Sequence, residues 1–216
     1  MIKLFKIDEP DILQANKQEW TERYLKLLKE GEEIPTSLKT KYKLKEIKSQ
    51  IVKETKGKCA YCESFISHIS PGDIEHILPK SRRPDLIFEW NNLTLACEEC
   101  NRTRKNDYYN PSDPLVNPYE DNPSDHIFAA GPIIFSVPAN RKGDITISIL
   151  DLNRAGLLEK RIERLMQIKI LVDKWAQEEN PTVKEIIKEQ LLQESDSQKE
   201  YSFFLNAFYK NAKVIS

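Results

Sequence analysis

KCAYCESFISHISPGDIEHILPKSRRPDLIFEWNNLTLACEECNRTRK, residues 58–105, decides how this chain is read. It opens with Cys59 and Cys62 and closes with Cys97 and Cys100, two pairs with two-residue spacers that use all four cysteines of the chain. That spacing lets both thiolates of a turn face one tetrahedral ion, and soft sulfur ligands suit zinc. Four thiolates leave no open coordination position, so this zinc is expected to hold the fold rather than react. The start MIKLFKIDEP has no signal-peptide pattern, and no apolar run reaches the roughly 20 residues a spanning helix needs. A cytoplasmic setting with no membrane partner follows as an expectation, and a reducing compartment favours metal ligation over disulfides.

The gap between the pairs is longer than a simple zinc ribbon requires, and the insert holds the candidates for chemistry. His76 is one of three histidines and sits between acidic neighbours and a basic cluster. A neutral imidazole takes a proton from water near pH 7, which suits a general base attacking phosphorus. Charge on the phosphate and on the departing oxygen would be met by a hard divalent cation held by oxygen donors. Glu75 and Asp73 offer carboxylates and Asn101 an amide oxygen, which favours magnesium or manganese. Asn101 directly follows Cys100, so the zinc turn would fix its position. Neighbours on a regular strand face opposite ways, so Glu75 and His76 share a site only where the strand ends, and Pro79 makes that ending reasonable.

The chain carries 33 basic and 34 acidic residues, net charge −1, so it does not attract nucleic acid as a whole. Local grip would come from Lys80, Arg82 and Arg83, then Arg102, Arg104 and Lys105. Ordinary solvated charge is the competing explanation for both groups.

Taken in order, these residues resemble the HNH endonuclease family, over residues 58–105. The resemblance implies a ββα-metal finger: two strands, then a helix from about Asn101. It implies that Cys59, Cys62, Cys97 and Cys100 bind zinc, that His76 is the base, that Asn92 braces the histidine loop, and that Glu75 and Asn101 hold the catalytic ion. The chain departs from the histidine-rich form of the motif in having Glu75 first and Asn101 last. So small a finger cannot bury a core alone, and flanking helices must complete it.

The expected fold class is therefore α+β and mainly helical, in three regions: N-terminal helices over 1–57, the nuclease core over 58–110, and a loop, β-hairpin and C-terminal helices over 111–216. Apolar spacing predicts helices over 11–30, ending at Gly31, and about 39–55, ending at Gly57. Prolines and glycine punctuate 110–140. The β-branched runs 133–137 and 145–150 read as hairpin strands. Asp151 or Asn153 would cap a helix over about 154–177 with Leu158, Ile162, Leu165, Val172 and Trp175 on its apolar face. Helices from Pro181 and over about 198–210 follow.

PLVNPYEDNPSDHIF, the hairpin and ILDLNRAGLLEKR are similar to the wider pattern of the PtuB family, the nuclease subunits of Septu anti-phage systems, which also accompany some retrons. That similarity implies an ABC-type ATPase partner of the PtuA kind and a role in bacterial defence. DNA is the expected substrate, with RNA open. A catalytically silent zinc-stabilised binding module is the alternative reading. His126 reads as a loop-capping residue, His68 takes no role, and the aromatic group Tyr201, Phe203, Phe204, Phe208 and Tyr209 reads first as core and second as a docking surface.

Overall fold

The computed structural model describes residues 1–66 and 72–214. His68 lies outside them. The chain divides into two compact units, one of Leu4–Tyr61 with Phe65–Ser112, the other of Met1–Lys3 and Cys62–Ser64 with Asp113–Ser216.

In the first unit, α1 (Asp11–Glu30) ends as its sequence predicts, with Gly31 left-handed at φ 69°. The single helix expected over 39–55 is instead three pieces: α2 (Thr36–Lys39), a 3-10 turn Lys41–Lys43 and α3 (Lys45–Thr55). Burial explains the break. Leu38, Tyr42, Ile47 and Ile51 all go inside, and the five-residue step from Tyr42 to Ile47 does not fit a 3.6-residue period. Extended backbone at Leu44 (φ −53°, ψ 145°) absorbs it. Lys56 takes the left-handed cap of α3, and the N–H of Gly57 bonds the Val52 carbonyl at 2.9 Å.

Two antiparallel strands follow, β1 (Asp73–His76) and β2 (Leu93–Ala96), with Ile74 opposite Leu95 and His76 opposite Leu93. A π-helix, Glu99–Lys105, comes next, so the expected ββα order is present. All of β2 is buried, covered by a core that includes Leu13, Trp20, Ile47, Ile51, Ile87 and Phe88. Trp20 meets Phe88 edge-on, with ring centres 5.7 Å apart.

In the second unit the strand expected over 133–137 is present as β4 (Ile133–Ser136), but its hairpin partner is β3 (Ile127–Ala130), paired around Gly131 and Pro132. Residues 145–150 belong to α4 (Arg141–Leu150). Their β-branched content suggested a strand, yet Gly143, Thr146 and Leu150 are the buried positions, a three-then-four spacing that only a helix puts on one face. Asn140 caps α4 by accepting from the Gly143 N–H at 2.9 Å. Neither predicted cap serves the next helix, α5 (Ala155–Gln177). Asp151 closes α4 in a left-handed conformation, and the Asn153 side chain bonds both backbone groups of Ile134.

On α5 the buried residues are Leu157, Arg161, Ile168 and Val172, whereas Ile162 is 46 % exposed. Arg161 is fully buried, donating to the Pro132 and Leu152 carbonyls with its guanidinium over the Phe204 ring. Burial draws its pKa down to about 10. α6 (Pro181–Glu194) starts at Pro181 under an Asn180 cap, and α7 (Ser202–Asn211) completes the unit. Ile168, Val172, Leu191, Leu205 and Tyr209 form its core. Tyr201, Phe204 and Tyr209 are buried, which spends most of that aromatic group on packing.

Candidate active site

The thiols of Cys59, Cys62, Cys97 and Cys100 lie within 4.8 Å of one another. A tetrahedron with Zn–S of about 2.3 Å has sulfurs about 3.8 Å apart, so the cluster is of the right size for zinc. Backbone bonds shape the two turns. The Cys100 N–H points at the Cys97 sulfur at 3.5 Å, and the Ala60 N–H bonds the Leu95 carbonyl of β2 at 2.9 Å. Three of the thiols are buried and Cys97 is half-buried, consistent with a closed structural centre.

Gly72 starts β1. Its φ is 66°, and a Cβ there would stand 2.6 Å from the Ile66 side chain, so no other residue enters the strand this way. Four residues later the strand stops at His76. Asp73, Ile74, Glu75 and His76 line one cavity of about 400 Å³, together with Asn101, Arg102, Asn106 and Asp107. Tyr42, Lys43, Pro79 and Lys80 complete the lining.

The imidazole of His76 is buried, with Nε2 3.0 Å from the Ile87 carbonyl. A carbonyl only accepts, so Nε2 carries the proton and Nδ1 keeps the lone pair. Burial, helped by Lys80, Lys105 and Lys43, lowers the pKa to about 4. The ring is neutral at pH 7.

Asn92 is buried and bonded to the segment that follows β1. Its Oδ1 accepts from the Leu78 N–H at 2.7 Å, and its Nδ2 donates to the Leu78 and Leu86 carbonyls at 3.0 and 3.2 Å. Leu86 adjoins Ile87, whose carbonyl holds His76. The loop that orients the imidazole is thus clamped at both ends by one side chain.

Glu75 is buried and ion-paired to Lys105, with Nζ 2.5 Å from Oε1. Burial pushes its carboxyl above the ordinary value against the pull of Lys105. Lys105 also donates to the His76 carbonyl at 3.0 Å and is only 3 % exposed. It therefore supports the site from inside, and as placed it is no surface contact for phosphate. Asp73 is bridged by Arg102 at 2.8 Å. The Asn101 side chain makes no hydrogen bond among the described residues, and its position is set by its N–H to the Cys97 carbonyl at 2.9 Å.

Two carboxylates, a free amide oxygen and an imidazole around one cavity are a donor set that fits a hard divalent cation. Such an ion would share Asp73 with Arg102 and Glu75 with Lys105. Of the remaining basic residues, Arg83 is held by Asp85 at 2.6 Å and Arg104 by Glu99 at 3.6 Å, while Arg82 is exposed and without a side-chain partner among the described residues. His126 bonds the Asn140 side chain at 3.1 Å, a structural role.

Sequence reading missed Tyr42 and Lys43. Tyr42 is buried with its ring edge-on to His76, centres 4.6 Å apart, and its hydroxyl accepts from Lys80 at 2.8 Å. The five-residue step from Tyr42 to Ile47 marks the break in the helix but gives no sign of a partner at His76.

Residues 59–107 match the family described as HNH endonuclease, so the segment holding the thiol cluster, His76, Asn92 and Asn101 is an HNH endonuclease domain. More of the chain is similar to two relatives named Septu protein PtuB. The one from Bacillus mycoides (strain KBAB4) is 33 % identical over 60 % of this chain and 54 % of its own length. The one from Bacillus thuringiensis is 33 % identical over 52 % of this chain and 43 % of its own. The chain therefore spans about half the length of the curated relatives it matches. No helix among the described residues is long and apolar enough to cross a membrane.

Proposed function

We propose that the chain hydrolyses phosphodiester bonds of DNA within a Septu-type anti-phage system, beside an ABC-type ATPase of the PtuA kind. The observation that carries this reading is one cavity shared by a neutral imidazole and three oxygen donors, inside a domain of HNH type. The relatives' name supports the defence role.

In this reading a water in the cavity gives its proton to Nδ1 of His76 as its oxygen attacks phosphorus. The Ile87 carbonyl keeps the imidazole in the required tautomer and stabilises the imidazolium that forms. Asp73, Glu75 and Asn101 would hold magnesium or manganese, which would supply charge neutralisation for the phosphate and the leaving oxygen. Lys105 offsets the charge of Glu75 so that the buried carboxylate stays in place without a partner change. Arg102 and Lys80, which line the cavity, and the exposed Arg82 are assigned to flanking phosphates.

The test is cleavage of plasmid DNA, linear DNA and RNA with magnesium, with and without the ATPase, by the protein and by His76→Ala. Loss of a general base is expected to slow cleavage by about 10²- to 10⁴-fold. Equal cleavage by both proteins would remove His76 as base, and RNA cut in preference to DNA would correct the substrate. No cleavage under any condition would leave the zinc-stabilised binding module.

A further inference from the structure

Lys43 and Lys80 come from distant parts of the sequence and meet at one aromatic ring. Their ammonium nitrogens stand 5.8 and 4.9 Å from the ring centre of Tyr42. Both residues are exposed and both line the cavity that holds His76. Neither has a carboxylate within ion-pair distance among the described residues, although nearly every other basic group around this site is engaged by one: Arg102 by Asp73, Lys105 by Glu75, Arg83 by Asp85. Two like charges gathered without a counter-charge repel each other and raise the local potential, an arrangement that favours an arriving anion.

Tyr42 makes this pair a built feature. The ring is 4 % exposed and cannot swing away, its hydroxyl takes a hydrogen bond from Lys80, and its quadrupole attracts both ammoniums. The same ring lies against the imidazole of His76. One buried side chain thus touches the imidazole and lies beneath both ammoniums.

We propose that Lys43 and Lys80, seated on Tyr42, form a phosphate clamp that takes a backbone phosphate next to the scissile one in a nucleic-acid substrate. The inference rests on the nuclease reading above and adds to it a binding subsite supplied by the turn between α2 and α3. The clamp meets phosphate oxygens alone, so it contributes affinity and register without base selection.

Each released counterion steepens the fall of log K with log salt by about 0.9 per phosphate contact on duplex DNA. Binding of a short labelled DNA duplex to the full chain, measured by anisotropy across a salt series without divalent cation, is expected to show a slope shallower by about one for the double variant Lys43→Gln with Lys80→Gln, since both lysines meet one phosphate, and by a part of that for either alone. Tyr42→Phe keeps the ring and loses the hydroxyl, and is expected to lower affinity in the same direction as Lys80→Gln and to add little to it, as coupled residues do. With magnesium, the lysine variants are expected to raise KM with kcat held. Melting curves matching the parent would show that the exposed substitutions leave the fold intact. An unchanged salt slope in both lysine variants, with His76→Ala inactive but still binding, would overturn the clamp and leave the nuclease reading standing. Slope changes as expected, with no cleavage by the parent under any condition, would do the reverse, and a parent chain that binds no duplex would overturn both.

Discussion

Asn92 shows how one side chain organises the site. Its three hydrogen bonds to Leu78 and Leu86 use the carbonyl oxygen as acceptor and the amine as donor. Asn92→Asp keeps the acceptor but faces a buried charge toward two carbonyls, and is expected to cost about 2–4 kcal/mol in chemical denaturation along with most activity. An unchanged midpoint would show that the loop holds itself. At this scale the sequence was legible wherever chemistry dictates residue type: four thiols in paired turns, and an imidazole beside carboxylates. It was not legible for Lys105 or Arg161. Each reads as one more surface charge in RTRK or LEKRIE, and only the local π-helix, or the turn of α5, sends it inside. Tyr42 was hidden for a related reason, since its partners lie 34 and 38 residues away and no spacing rule connects them.

Among the elements, α4 depends on close backbone approach. A Cβ on Gly143 would fall 2.2 Å from the His126 carbonyl oxygen and 3.1 Å from the Ser136 side chain. Gly143→Ala is expected to destabilise by about 1–3 kcal/mol despite the better helix propensity of alanine, read as a lower melting temperature. A rise would mean that the helix shifts freely. The strand reading of ITISIL failed because β-branched content outweighed a burial period that depends on Gly143, which offers no side chain to mark its face. Element boundaries set by capping were clearer: Gly31 and Pro181 stand where composition placed them.

α5 and α6 are joined by Arg164 and Glu194, 2.5 Å apart. Arg164 holds the Glu194 carboxyl below its ordinary value, and both groups are partly exposed. A depressed folded pKa contributes stability above the unfolded value of about 4.5, lost as pH falls through the lower folded value. Glu194→Gln is therefore expected to cost no more than about 1 kcal/mol of stability at pH 7 for so exposed a pair, read as a slightly lower melting temperature, with the difference from the parent shrinking as pH drops below about 4. A constant difference across that range would contradict the pairing.

For the whole molecule, the proposed function puts stability and chemistry on different ions. Removing zinc is expected to unfold the four-cysteine region, because thiolate ligation energy is folding energy there, whereas removing magnesium is expected to stop cleavage with the melting curve little changed. Zinc content near one per chain and a thermal transition lost on strong chelation would check the first half. The overall class, a mainly helical α+β chain around a ββα finger, could be read from 58–105 together with the flanking periodicities. That residues before the finger also line the cavity could not, since their contribution arises where a helix breaks.

The most direct test is anomalous scattering from crystals grown with zinc and soaked in manganese. The account predicts a zinc peak among Cys59, Cys62, Cys97 and Cys100 and a separate manganese peak in the cavity bounded by Asp73, Glu75, His76 and Asn101. Manganese elsewhere, or an empty cavity at saturating manganese, would contradict it.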